Sequence, residues 1–350
     1  MRLERLRLGR RAPDSLVGGV LARDLRLDGE RWAKGRRLSA ADLDELGRPD
    51  RASPPLTVAV IVPEPGDLHE DDAALRLAAC VAGPGLETRG PAESRVDLLA
   101  ASAGVLHIRI AELERLNRID PLEVFTALDG SIVRPGQLVA SVKVAPHVVP
   151  ASLVERGIAV TRGGRRPLVR VAAFRPMRVG VVVKESLRAA DRDRFERSVR
   201  QKVEGLGSSL ADIAYVPDDV EPVARAIDRL TRGRARVDVV LTAGGRSTDP
   251  SDPFFVAVEA LGGRLIRHGV PAHPGSMLWL ARVRRAAVLG LPTCGAYSKA
   301  TAADLLLPRL LTGEPPTVRT VSALGHGGVL TREMRFRFPP YARDLDAPDG

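Results

Sequence analysis

VDVVLTAGGRSTDPSDPFFVAVEALGG, residues 237–263, is the stretch whose reading decides the fold. Its apolar run VVLTA, closed by two glycines, reads as a strand buried on both faces. Gly244 and Gly245 then let the backbone turn tightly and approach a ligand. Ser247 and Thr248 add hydroxyl donors. Asp252 stands directly before Pro253, the pairing that opens a helix, and Gly262-Gly263 closes that helix. Downstream, LIRHGVPAHPG (265–275) and AAVLGLPTCGAYSK (286–299) each deliver a strand into a Gly/Pro loop. Loops that leave parallel strands with many free backbone N–H groups suit a phosphorylated ligand.

The same rhythm extends upstream to Met177. RVGVVV (178–183), ADIAYVP (211–217), VDVVLTAGG, RLIRHGV and AAVLGLP read as strands. DRDRFERSVRQKVEGLG, EPVARAIDRLTRG and DPFFVAVEALGG read as helices between them, and SMLWLARVRR as a basic patch. ATAADLLLPRLLTG reads as a last helix, interrupted at Pro308. The expected fold class is therefore α/β, a mostly parallel sheet covered by helices on both faces. Before Pro176 the chain reads as a β-rich module with Gly/Pro turns. Its helices are predicted after Ser39, over 69–83 and over 111–120. The predicted divisions are 1–55 (β-rich segment and linker), 56–175 (mixed module with a small barrel-like part), 176–313 (α/β domain) and 314–350. In the last, VSALGHGGVL and EMRFRF read as strands and the end as disordered.

Composition narrows the functional class. Hydrophobic residues make up 44% of the 350, enough for globular cores, while aromatics at 3% leave Leu, Val and Ala to fill them. No apolar run reaches the ~18 residues of a membrane span, and the basic start MRLERLRLGRR leads into no signal core. Two cysteines, Cys80 and Cys294, cannot build a disulfide framework, so a cytoplasmic location is expected. The net charge of +10 invites a nucleic-acid reading, but the arginines are scattered among acids and few aromatics exist for stacking. No nucleic acid and no membrane are expected as partners.

Several side chains have two readings each. Asp252 is an obvious helix N-cap; with Asp249 it could instead share a Mg²⁺, which takes one or two carboxylates and keeps its waters. Pro274-Gly275-Ser276 is either an ordinary turn or a second phosphate-facing one. Lys184 and Lys299 are notable because lysine otherwise occurs only at 34, 143 and 202. Either could contact a phosphate oxygen, or simply stay solvated. Ser298 and Lys299 stand where the last helix begins, a place that favours anions. Cys294 reads as a small buried residue rather than a nucleophile. His268 and His273 read as strand-end or loop histidines rather than a metal pair.

The order of these motifs resembles the molybdopterin-binding domain of molybdenum-cofactor biosynthesis proteins. That family runs a strand into T-x-GG with Ser and Asp, and the Asp opens a helix ending ten residues on in Gly-Gly, as from Asp252 to Gly262-Gly263 here. His268-Gly269-Val270, Pro274-Gly275 and Gly290-Leu291-Pro292 follow in the family's order. EPGDLHEDDAALRLA, LERLNRIDP and VRPGQLVASVKVAPHVVP resemble a bacterial subgroup sometimes fused to a nucleotidyltransferase. The chain departs from the molybdenum-inserting branch at STDPSDP and PTCGAYSK, where that branch carries G-D-x-D and G-N-P.

The resemblance implies binding of molybdopterin or its nucleotide derivative, and a reaction that inserts molybdate into the adenylated pterin with Mg²⁺. Gly244, Gly245, Ser247 and Thr248 would cradle phosphate. Asp249 and Asp252 would hold the metal and, with Lys299, do the chemistry. Lys184, Pro274, Gly275, Ser276, Gly290, Pro292 and Ser298 would line the rest. A non-catalytic carrier and a molybdopterin adenylyltransferase are the alternatives. The family also implies a homo-oligomer, and the subgroup a nucleotidyltransferase partner in trans.

Overall fold

Val179, Val181 and Val183 pack against one layer of helices, and Val182 between them packs against the opposite layer. A strand that buries both faces in this way can only lie inside a covered sheet. The computed structural model describes residues 1–52, 56–164, 166–184, 188–244, 249–291, 300–314 and 317–343. The chain forms two compact units, one of residues 1–102, 106–129 and 133–171, the other of 103–105, 130–132 and 172–350.

The second unit is built on a six-stranded sheet. Its order is Ser209–Tyr215, Arg178–Val183, Val239–Ala243, Ala286–Gly290, Trp279–Val283, Arg264–His268. The first four strands are mutually parallel, and the last two ladders are antiparallel. Phe195, Val199 and Val203 of the helix Ala189–Glu204 cover one face with Leu305, Leu306 and Leu310 of the helix Ala303–Leu310. Val223, Ile227 and Leu230 of Val220–Thr231 cover the other face with Phe254 and Val258 of Pro253–Ala260. Each fully buried side chain of this kind stabilises by roughly 1.5–3 kcal/mol, so the two layers carry most of the unit's stability.

The antiparallel edge corrects the sequence reading. Trp279–Val283 is a strand, not a basic patch. Arg284 and Arg285, which gave the segment its basic look, form the two-residue turn into Ala286–Gly290, with Arg284 at φ 53°. Nor does Pro308 interrupt its helix, which runs through it to Leu310. Every residue of that helix is buried, and packing outweighs the hydrogen bond that Pro308 cannot donate. The strand-like tail segments are helical instead. Val318–Ser322 starts from a Thr317/Thr320 capping box, and 3-10 turns follow over Ala323–Gly325 and Arg332–Arg337.

The first unit is β-rich as expected, but its sheets are small and mostly antiparallel. Thr57–Val62 sits between Arg2–Arg7 and Val20–Leu21. Leu122–Thr126, Leu138–Val144, Arg95–Ala100 and Leu86–Ala92 form a four-stranded sheet in that order. Against it lies the helix Glu70–Val81, predicted from its acidic start. The helix Ala151–Arg162 joins the same core through Val154 and Ile158 and was not expected, because the sequence around it reads as strands. Ser39 caps its helix with a capping box to Asp42, as its sequence predicts.

Candidate functional site

The connections after Arg178–Val183 and Val239–Ala243 leave these neighbouring parallel strands in opposite directions. The first leads to Ala189–Glu204 on one face, the second to Pro253–Ala260 on the other. Strand order also reverses here, because Ser209–Tyr215 adds on one side of Arg178–Val183 and Val239–Ala243 on the other. Such a switch point opens a crevice beyond the carboxyl ends of the strands, where α/β sheets bind ligands. The Lys184 N–H donates to Ala243 O at 3.0 Å and ties the two strand ends together. Gly244 follows, buried and at φ +103°, a conformation that L side chains rarely adopt. Asp252 closes the rim as N-cap of Pro253–Ala260, its Oδ1 accepting from the Phe254 N–H at 2.9 Å.

Sequence separates Lys184 from Asp252, but the fold pairs them. The Lys184 ammonium lies 2.9 Å from Asp252 Oδ2 and 2.9 Å from Asp218 Oδ1. It also sits over the face of Phe254, 5.3 Å from the ring centroid. Lys184 is 5% exposed and Asp252 8%, so the solvated reading of this lysine is wrong. Burial pulls the ammonium's pKa down, but hydrogen bonds and attraction from Asp252 and Asp218 outweigh it and hold the pKa above the usual lysine value. Asp218 had drawn no attention in the sequence. Its signal was its place just after the strand Ser209–Tyr215, at the same edge of the sheet as the other two.

A Mg²⁺ shared by Asp249 and Asp252 does not fit this arrangement. Both oxygens of Asp252 are engaged, one by the helix N-terminus and one by an ammonium that already neutralises it. A divalent ion on Oδ2 would have to displace Lys184 or sit beside its charge. Asp249 is exposed, and its Oδ1 accepts from the Ser251 N–H at 2.9 Å. That backbone bond, with one from the Ser251 side chain, holds its carboxyl below the usual range. Among the described residues no group of three His, Cys, Asp or Glu could hold a metal.

The other expected site residues fall into two sets. Gly245, Ser247, Thr248, Pro292, Ser298 and Lys299, like Cys294, lie outside the described residues. Pro274, Gly275, Ser276 and Gly290 are described, and their surroundings give each a packing role. Pro274 O accepts from the Ala302 N–H at 2.9 Å, and a Cβ on Gly275 would stand 2.9 Å from that same nitrogen. Gly275, at φ +106°, therefore lets the loop press on the start of the helix Ala303–Leu310. Ser276 is exposed, and its carbonyl accepts from the Val270 N–H. Gly290 pairs with Trp279 across the antiparallel ladder, and a Cβ there would run into the indole. His268 ends its strand and meets Phe255 edge-on at 5.0 Å, while His273 lies in a loop.

Residues 180–312 match the family model described as "Probable molybdopterin binding domain", a span that contains the whole switch point. Over that span the α/β domain is similar to the molybdopterin-binding domains of molybdenum-cofactor biosynthesis proteins. The structure is similar to a molybdopterin biosynthesis moea protein from Pyrococcus horikosii, at 15% identity and a TM-score of 0.30. That similarity covers 71% of this chain and 81% of the other. A second similar structure is a molybdenum cofactor biosynthesis protein B, at 20% identity and a TM-score of 0.32, covering 41% of this chain and 97% of the other. No curated protein matches the chain. No helix among the described residues is long and apolar enough to cross a membrane.

Proposed function

We propose that this protein binds molybdopterin at the switch point and holds it during cytoplasmic molybdenum-cofactor assembly. The observation that carries the reading is the meeting of Lys184, Gly244 and Asp252 at two parallel strand ends, inside the matched domain. The left-handed Gly244 brings backbone close to a ligand at the strand ends. Gly245, Ser247, Thr248, Ser298 and Lys299 would complete the cradle, by their resemblance to the family.

Of the reactions open to such a site, insertion of molybdate into the adenylated pterin relies on Mg²⁺, which Asp252 as placed does not favour. We therefore favour holding and transfer over turnover, with a nucleotidyltransferase in trans and assembly as a homo-oligomer. Adenylylation of the pterin would need ATP binding as well. Mass spectrometry of the small molecule that copurifies tests the reading. A phosphorylated pterin supports it; a protein that neither copurifies with nor captures molybdopterin does not bind it. Release of molybdenum-loaded cofactor in a Mg²⁺-dependent assay would replace holding with insertion.

A further inference from the structure

We infer that the ammonium of Lys184 is the resident cation of this site, in the place where a divalent ion would otherwise bridge Asp252 and Asp218. Three neighbouring parallel strands end here, and each contributes one charged group: Lys184 from the middle strand, Asp218 and Asp252 from the loops after its two neighbours. Two carboxylates converging on one point repel each other unless a cation lies between them. In this protein a side chain supplies that cation, 2.9 Å from each carboxylate and closed over by the Phe254 ring. An ammonium has three donors, and two are spent on these oxygens. Lys184 is thus a positioning residue: it fixes Asp252, and through Asp252 the start of Pro253–Ala260, without itself being free for a ligand.

It follows that the strand ends close without Mg²⁺, and that ligand capture does not respond to Mg²⁺ or to a chelator. That second consequence rests on the switch point being the molybdopterin site; the first does not. Manganese(II), a paramagnetic stand-in for Mg²⁺, tests the first directly. The wild-type protein is expected to show no saturable Mn²⁺ signal by electron paramagnetic resonance. Lys184→Met, which leaves the two carboxylates facing each other, is expected to gain a site at least about tenfold tighter. Asp252→Asn in that background should abolish it. Where Lys184→Met is too unstable to isolate, Lys184→Gln keeps a hydrogen bond and serves the same comparison.

Saturable Mn²⁺ binding by the wild type that Asp252→Asn removes would overturn the inference. So would lysine variants that gain no site, since the carboxylates would then not be a cation position at all. Loss of molybdopterin capture with these metal results intact would count against the proposed function and leave the inference standing.

Discussion

The side chain of Lys184 and that of Asp252, 68 positions apart in sequence, form a buried ion pair of 2.9 Å across the carboxyl ends of adjacent parallel strands. One carboxylate therefore has two structural tasks, capping a helix and pairing with an ammonium. Removing the charge should expose both. Asp252→Ala is expected to lower stability by about 3 kcal/mol, most of it from the unpaired Lys184 and ~1 kcal/mol from the lost cap. Urea denaturation would show it as a lower midpoint with an unchanged slope. A loss no larger than a cap alone would mean that Asp218 by itself satisfies the ammonium.

The same pair has an alkaline signature. The folded pKa of Lys184 lies above its ordinary value, so its contribution is complete below that ordinary value and disappears as pH rises through the folded one. Thermal melts over the alkaline range should show the gap between wild type and Lys184→Met closing as pH rises. A gap that stays constant across that range would show that the pair does not titrate as described.

Gly290→Ala separates packing from ligand binding. Its new Cβ would meet the Trp279 indole, and overpacking of this kind costs roughly 1–3 kcal/mol. Pairing it with Trp279→Leu should restore part of the loss. If instead Gly290→Ala leaves the melting temperature unchanged and weakens molybdopterin capture, the glycine serves the ligand.

A second buried pair joins the helices Ala189–Glu204 and Ala303–Leu310. Lys202 Nζ lies 2.6 Å from Asp304 Oδ1, and the Tyr341 hydroxyl donates to the same oxygen at 3.1 Å. Burial, with Asp304 beside it, holds the Tyr341 phenol well above its usual pKa, so it stays neutral. Lys202→Met is expected to cost about 3–5 kcal/mol because Asp304 is then buried unpaired. Tyr341→Phe should cost only ~1 kcal/mol, one hydrogen bond. Equal losses for the two variants would contradict this ranking.

In the first unit, Gly35 sits at φ +82°, and a Cβ there would run into the Glu70 carboxylate, which also meets His147 Nδ1 at 3.0 Å. Gly35→Ala adds both strain and a clash, and should destabilise by more than 1 kcal/mol. Chemical denaturation of this variant beside Gly29→Ala provides the control, since Gly29 has an equally positive φ but open space around it.

Much of the second unit was legible before its structure because the signals are local. Asp252-Pro253 marks a helix start and Gly262-Gly263 its end within a few residues, and valine runs mark buried strands. The segment around Trp279 was not legible. Arg284 and Arg285 form a turn whose existence depends on pairing with Ala286–Gly290. Pro308 misled for the same reason, since local propensity yields to the burial of a whole helix.

By itself the sequence determined the alternation of strands and helices, the glycine turn after Ala243 and the cap at Asp252. Each depends on chemistry between near neighbours along the chain. Only the tertiary structure decided that Lys184, Asp218 and Asp252 share one buried point and that Gly290 makes room for an indole. Those contacts depend on the order in which strands assemble into the sheet. Periodicity along the chain carries no record of that order.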